Sequence, residues 1–183
     1  MDVFWRHNEG DVNFYRKWED YKHGFGSLLG DFWLGNEAIH KLTNKVNLML
    51  TLGDFWLGNE AIHELTKHSN AYSQKVGEAM QYLSYRLRLG SHSGTLKEKS
   101  IDFGLSYHNG KPFSTYDKDN DSQLSVSCAV KWHGAWWYAA CYRANLNGKW
   151  GLKQDKGMEW ITGFGSNWSP VYASTTEMKI RRI

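Results

Sequence analysis

Three carboxylates stand at alternate positions in one short segment, at Asp117, Asp119 and Asp121. Oxygen ligands of this kind bind Ca²⁺ when the backbone carbonyls of small polar residues complete the set. The segment is not an EF-hand, because that motif has Gly at its sixth position and Glu at its twelfth, where this sequence has Ser122 and Cys128. The pattern alone fits a calcium loop and a solvated acidic turn equally well.

Cys128 and Cys141, the two cysteines of the chain, flank a Trp-rich segment. They form no CxxC motif and no Cys/His metal spacing, which argues against zinc and redox chemistry. A disulfide is the alternative, and closing a loop of about 15 residues would contribute roughly 3 kcal/mol in the chain-entropy model. Such a bond would also imply an oxidising compartment.

The sequence lacks the motifs that are typical of other functional classes. The sequence has no nucleophile elbow, P-loop, HExxH motif or separate acidic pair, so we predict that it is not an enzyme. The 22 basic and 19 acidic residues are scattered, which argues against nucleic acid as a partner. Uncharged stretches fall well short of the roughly 18 residues of a membrane span, so no membrane insertion is predicted.

The composition and the elements indicate one domain of the α+β class. Aromatic residues make up 15% of the chain, which fits a large aromatic core or, less simply, a sugar-binding surface. Alternating apolar residues predict strands over 85–89, 126–132 and 178–180, and a weak helical period covers 76–83. Polar loops rich in Gly, Asn and Ser separate them. His108 and His133 are interpreted as hydrogen-bonded loop residues without a catalytic role.

A segment near the N-terminus is duplicated. Residues 29–40 recur letter for letter as 52–63, and the similarity covers 29–43 and 52–66. Each copy predicts a short amphipathic helix that begins at Asn36 or Asn59. Because one core has one place for such an element, we expect one copy to fill it and the other to be an insertion or an error of gene prediction.

A series of motifs along the chain resembles the fibrinogen C-terminal domain. Within that family, the resemblance is greatest to ficolins and tachylectin-like proteins. The motifs cover nearly the whole chain: 14–18, 24–26, 32–36, 106–115, 117–121, 128–129, 134–138, 141, 145–148 and 177–181. The resemblance implies a twisted, mostly antiparallel sheet with short helices and a loop-rich calcium and ligand-binding subdomain over 90–183. It also implies that residues 1–183 are one incomplete domain, without the family's N-terminal subdomain.

The resemblance implies specific site residues. The Ca²⁺ cofactor would be bound by the side chains of Asp119 and Asp121 and the carbonyls of Gln123 and Ser125, although the loop is one residue longer than usual in the family. The disulfide would join Cys128 and Cys141. The pocket for acetyl groups would be formed by five residues around the second cysteine, namely Ala140, Cys141, Tyr142, Trp132 and Trp150. The resemblance also implies a cis peptide bond between Ala140 and Cys141.

The implied function is a secreted, calcium-dependent recognition lectin of the innate-immune type, with an acetylated carbohydrate as ligand. Tyr142 stands where the lectins have His, and 148–157 is shorter than usual. These departures favour the alternative of a protein-binding domain of the angiopoietin or tenascin type, with an extracellular receptor as partner. An incomplete, inactive gene product is the third possibility. The N-terminus has no secretory signal, so we expect its start, and the family's oligomerising regions, to be missing.

Overall fold

The computed structural model describes residues 2–43, 51–52, 55–57, 84–87, 92–93, 104–164 and 167–180. The strands are β1 (Asp2–His7), β2 (Phe25–Gly26), β3 (Phe32–Trp33), β4 (Thr51–Leu52), β5 (Phe55–Leu57), β6 (His92–Ser93), β7 (Ala144–Asn145), β8 (Glu159–Phe164), β9 (Asn167–Tyr172) and β10 (Thr176–Ile180). The helices are α1 (Trp18–His23), α2 (Asn36–Thr43) and α3 (Cys128–Trp132), with a 3₁₀ helix at Gly104–His108. Among these elements, no helix has the length and apolar character needed to cross a membrane.

The two ends of the chain meet in one antiparallel sheet of order β10-β1-β3-β2. Strand β10 pairs with β1 from Asp2 opposite Ile180 to His7 opposite Thr176. The strand predicted from the alternation at 178–180 is therefore confirmed. Arg6 on β1 binds Glu177 on β10, with Nε and Oε1 2.7 Å apart, and stabilises this pairing at its partly exposed edge.

Aromatic side chains form most of the core. Trp5 and Trp33 pack edge to face with ring centroids 6.3 Å apart, and Trp33 lies 5.7 Å from Phe113. Trp136 contacts Trp5 at 6.0 Å, and Tyr21 is fully buried beside Phe113. Each buried aromatic ring removes a large apolar area from water. Much of the aromatic excess is therefore structural.

The first copy of the duplicated segment belongs to this core. Phe32 and Trp33 are buried on β3, and helix α2 starts at the predicted Asn36, whose Oδ1 accepts a hydrogen bond from Trp33 Nε1 at 3.1 Å. In the second copy, the backbone of β5 pairs with β4 and β6 in a different sheet. The helix predicted from Asn59 and the helical period over 76–83 lie outside the described residues. That one copy is an insertion stays a prediction.

The strand predicted over 126–132 is wrong. Residues 128–132 form helix α3, because Ser127 caps its N-terminus by accepting the N–H of Val130 and this favours helix over strand. The strand predicted over 85–89 is wrong at its start, since Ser84 and Tyr85 have φ of 50° and 44° and the chain turns there, while residues 88–89 lie outside the described part of the chain. Apolar alternation was misleading because helix α3 is short and one face of it is exposed.

Strands β7, β8 and β9 form a third, antiparallel sheet close to α3 and the acidic segment. Ala144 on β7 pairs with Trp160 on β8, and Glu159 on β8 pairs with Tyr172 on β9. This sheet therefore brings 142–145, 159–161 and 170–172 side by side, although they are distant in sequence.

Candidate functional site

The first carboxylate of the acidic segment is structural. Asp117 Oδ1 accepts the backbone N–H of Trp18 at 2.9 Å and the hydroxyl of Thr115 at 2.7 Å. Trp18 is the first residue of α1, whose preceding residue Lys17 provides no side-chain cap. Asp117 therefore caps α1 from a remote part of the chain, which ties the acidic segment to the N-terminal half of the domain.

The other two carboxylates lie next to each other. Asp121 Oδ1 accepts the N–H of Gln123 at 2.7 Å, and its Oδ2 accepts the N–H of Cys128 at 2.8 Å. Asp119 Oδ1 accepts the N–H of Asp121 at 3.1 Å. Burial raises the pKa of Asp121, and the adjacent Asp119 carboxyl raises it further. In the described part of the chain, no lysine or arginine forms a salt bridge with either carboxylate.

The donor chemistry of this loop fits a calcium ion. Two neighbouring carboxylates without a cationic partner repel each other, and Ca²⁺ prefers such oxygen ligands together with backbone carbonyls. Gln123 and Ser125, whose carbonyls were predicted to complete the set, follow directly in the same turn. Among the described residues, no group of three or more His, Cys, Asp and Glu side chains gathers at one point. A cation here would therefore depend on carbonyl or water ligands for the rest of its shell.

The predicted disulfide is confirmed. Cys128, the first residue of α3, is bonded to Cys141, with the two Cα atoms 5.3 Å apart. This separation lies within the usual range for a disulfide. Because Asp121 binds the backbone N–H of Cys128, the acidic loop and the segment 140–142 are connected through one covalent bridge.

A cleft of about 330 Å³ lies on the other side of this bridge. Four of the five residues predicted to bind a ligand line it, namely Trp132, Ala140, Cys141 and Tyr142. Its other walls come from the acidic loop, α3 and the third sheet, through Gln123, Lys131, Arg143, Asp155, Glu159, Ile161, Pro170 and Tyr172. The cleft therefore combines aromatic and aliphatic walls with a few polar groups, the usual make-up of a small-ligand site.

Tyr142 and Glu159 form the polar base of the cleft. The Tyr142 hydroxyl donates to Glu159 Oε2 at 3.0 Å, while Glu159 is buried and its Oε1 has no hydrogen-bond partner among the described residues. Burial raises the pKa of both groups. The Trp132 ring packs edge to face on Tyr142 at 5.2 Å. Sequence reasoning missed Glu159, because no spacing rule relates it to a residue 17 positions earlier.

His108 supports the cleft from behind. Its Nδ1 donates to the carbonyl of Trp137 at 2.7 Å, and its Nε2 accepts the N–H groups of Arg143 and Ala144 at 3.1 and 3.0 Å. Burial lowers the pKa of His108 to about 3, so the ring is neutral at physiological pH, as accepting two N–H donors requires. The interpretation of His108 as a hydrogen-bonded residue is confirmed, and its role is to hold the backbone that follows Tyr142.

Two details of the predicted site differ in the structure. Trp150 does not line the cleft, because its ring packs over Gly10 and its Nε1 donates to the carbonyl of Ser174 at 2.9 Å. The Ala140–Cys141 peptide bond is trans, like the others in the described residues. The N–H of Ala139 donates to the carbonyl of Cys141 at 2.8 Å, so the chain turns here without the roughly 3–4 kcal/mol that a cis bond costs.

The sequence and the fold match known proteins over nearly the whole chain. The family described as fibrinogen beta and gamma chains, C-terminal globular domain, matches residues 1–53 and 49–183. The two matches overlap next to residue 52, where the second copy of the duplicated segment starts.

Individual relatives agree with this family. The chain is 41% identical over 167 residues to human ficolin-3, covering 89% of this chain and 52% of ficolin-3. It is 39% identical over 180 residues to human tenascin-R, covering 98% of this chain and 12% of tenascin-R. It therefore spans about half the length of these curated relatives or less. The fibrinogen-like globe domain of human ANGPTL6 superposes with a TM-score of 0.69 at 33% identity, covering 99% of this chain and 77% of that one.

Proposed function

The chain belongs to the fibrinogen C-terminal domain family, and we propose that it is an extracellular, calcium-dependent recognition domain that binds acetylated carbohydrate. The ligand cleft is the one lined by Trp132, Ala140, Cys141 and Tyr142. The observation that supports this most is the connection from Asp121 through Cys128 to Cys141, because it links the candidate calcium loop to the wall of the cleft.

In this proposal Asp119 and Asp121 bind Ca²⁺ with their side chains, and Gln123 and Ser125 with their carbonyls. The ion would supply positive charge that offsets the repulsion between the two carboxylates. The chain itself holds Asp121 in place through the N–H groups of Gln123 and Cys128. Gln123 also lines the cleft, so a fixed loop conformation fixes one side of the ligand site.

The cleft suits a small group that is apolar on one side and polar on the other. Trp132 and Tyr142 form an edge-to-face aromatic corner, and Ile161 and Pro170 add aliphatic surface. An acetyl methyl would pack against these side chains, while sugar hydroxyls and the amide would reach polar groups of the rim such as Lys131.

A protein-ligand domain is the second candidate function, favoured by exposed apolar residues beside the cleft. Leu124 is 100% exposed, Val126 38% and Val130 44%, and all three lie on the acidic loop or on α3. Large apolar side chains left exposed within one short segment are what a protein partner would cover. The Tyr142 hydroxyl also donates its hydrogen bond to Glu159, so it is less available to a sugar than an unpaired hydroxyl would be.

Retention on N-acetylglucosamine resin, with calcium and with EDTA, tests the lectin proposal. We expect retention with calcium, release by EDTA, and loss of retention in Asp119→Asn. Asp117→Asn is the matched control, since that carboxylate caps α1 and should leave calcium affinity unchanged. Binding that is indifferent to EDTA and to Asp119→Asn would contradict the calcium part.

Two further measurements separate the alternatives. If the lectin proposal holds, Tyr142→His, which restores the residue of the lectin relatives, should strengthen retention on the resin. If the protein-ligand alternative holds, the resin should retain neither protein, and replacing Leu124 and Val130 by Ser should abolish binding to a receptor ectodomain. Sequencing of the transcript across residues 29–66 tests whether the duplicated segment is real, and with it the third possibility of an inactive gene product.

A further inference from the structure

Two pairs of consecutive residues divide between the cleft and a second surface. Trp132 and Asp155 line the cleft, whereas the residues that follow them, His133 and Lys156, do not line it and contact each other with Nε2 and Nζ 3.4 Å apart. His133 has φ of 51°, and this left-handed conformation ends α3 and turns the chain after Trp132. The same two segments therefore build the cleft and a second surface outside it.

Three rings pack together on this second surface. Tyr15 lies 4.9 Å from His133 at an interplanar angle of 17°, and 4.7 Å from Tyr116 at 40°. None of the three belongs to the buried core, since His133 is exposed and the two tyrosines are partly exposed. We call Tyr15, Tyr116, His133 and Lys156 the aromatic platform. Neither tyrosine hydroxyl has a hydrogen-bond partner among the described residues, so both can bind a ligand.

The platform carries a positive charge that is not neutralised. Lys156 forms no salt bridge within the described residues, and its ammonium group rests against the imidazole of His133. Desolvation and, secondarily, the charge of Lys156 lower the pKa of His133. The acidic residues next in sequence form no salt bridge with Lys156: Asp155 lines the cleft, and Asp117 accepts hydrogen bonds from Trp18 and Thr115.

We propose that the aromatic platform is a second binding site, which takes a sugar ring that carries an acidic group. Partly exposed tyrosine rings stack on the apolar face of a pyranose, and their hydroxyls reach its oxygens. The ammonium of Lys156, at the edge of the platform, pairs with a carboxylate or sulfate on that ring. The site uses neither the cleft residues nor the proposed calcium ligands, so it does not depend on the lectin proposal.

A pair of simple sugars tests this site. Methyl β-glucuronide and methyl β-glucoside differ only in the carboxylate, and titration of each can be followed through the NMR signals of the His133 ring. We expect the glucuronide to bind more tightly, and Lys156→Gln to weaken it about threefold to fivefold, the range of one partly exposed ion pair. Tyr116→Ala should weaken both sugars, because it removes a stacking surface they share.

Lys153→Gln is the matched control, since Lys153 is an exposed lysine in the same loop. It should leave the glucuronide affinity within about a factor of two, the effect of a distant surface charge. Equal affinity for the two sugars, or equal loss in Lys153→Gln and Lys156→Gln, would overturn the proposal. Shifts confined to the Trp132 indole, with none at the His133 ring, would show that the acidic sugar binds in the cleft instead.

Discussion

Asp121 holds the backbone of Cys128, with its Oδ2 2.8 Å from the amide nitrogen of that cysteine. Through this single hydrogen bond, the acidic loop is attached to the first residue of α3 and to the disulfide that borders the cleft. A change in the acidic loop, in α3 or in the disulfide should therefore alter the other two.

Removal of the disulfide should lower both stability and calcium affinity. In Cys128→Ser with Cys141→Ser, we expect the free energy of unfolding to fall by roughly 3 kcal/mol, from the loop entropy that the bond removes from the unfolded chain. Calcium affinity should fall as well, because Asp121 loses a fixed partner. Urea denaturation and calcium calorimetry measure the two effects. An unchanged calcium affinity would show that the loop is organised without the bridge.

Loss of the remote cap should lower the stability of the fold and leave calcium affinity unchanged. Asp117→Ala removes the acceptor of the Trp18 N–H, so we expect a loss of about 1 kcal/mol, the usual value of an N-terminal cap. Asn in place of Asp117 can still accept this hydrogen bond and should recover most of the loss. Thermal denaturation measures the change, and a larger effect of Asn than of Ala would argue against the capping role.

The Tyr142 hydroxyl should stabilise the fold through Glu159. Tyr142→Phe leaves a buried carboxyl without its donor, which should cost about 1–3 kcal/mol. Glu159→Gln alone and the double variant complete a cycle, in which the two losses should not be additive. Tyr172→Phe is the control, since this tyrosine also lines the cleft and its hydroxyl donates no hydrogen bond within the described residues. Additive losses would mean that the two groups do not interact.

Stability should decrease below neutral pH because His108 is buried in its neutral form. Its pKa in the folded chain is about 3, below the value of 6.5 expected when it is unfolded. The unfolded chain therefore takes up a proton first. The contribution of His108 is complete above about pH 6.5 and is lost as the pH falls towards 3, by up to about 1.4 kcal/mol for each unit.

Urea denaturation between about pH 7.5 and pH 5 checks this dependence. His108→Gln should show a shallower decline than the native chain, although the buried His7, whose pKa is also lowered, keeps part of it. His133→Gln, at an exposed histidine whose pKa desolvation and Lys156 also lower, should make the decline shallower by less than His108→Gln does. Parallel curves for His108→Gln and the native chain would contradict the assignment.

Substitutions at two glycines with the same backbone conformation distinguish the cost of backbone strain from the cost of side-chain overpacking. Gly10 and Gly110 have φ of 75° and 74°, but a Cβ at Gly10 would lie 2.5 Å from the Trp150 ring, while one at Gly110 would meet nothing within 4 Å. Gly110→Ala should cost about 1 kcal/mol from backbone strain alone. Gly10→Ala should cost at least about 1 kcal/mol more, by overpacking. Equal losses in thermal denaturation would show that Trp150 moves aside freely.

Residue types and motifs were enough to predict the family, the disulfide partners, the C-terminal strand and four of the residues that line the cleft. Each of these depends on local motifs or on residue types with few chemical options, such as paired cysteines. The resemblance, and not the alternating pattern, distinguished Asp119 and Asp121 from Asp117; the structure shows Asp117 capping α1, and calcium binding by the other two stays a prediction.

The other features became known from the folded chain. It showed α3 in place of a strand, Trp150 packed on Gly10, and the pairing of Tyr142 with Glu159. It also brought Tyr15, Tyr116 and His133 into one cluster of rings. The physical reason is common to all of them: a hydropathy period records which side of an element is apolar, whereas contacts between residues far apart in sequence depend on how the sheets and loops pack together.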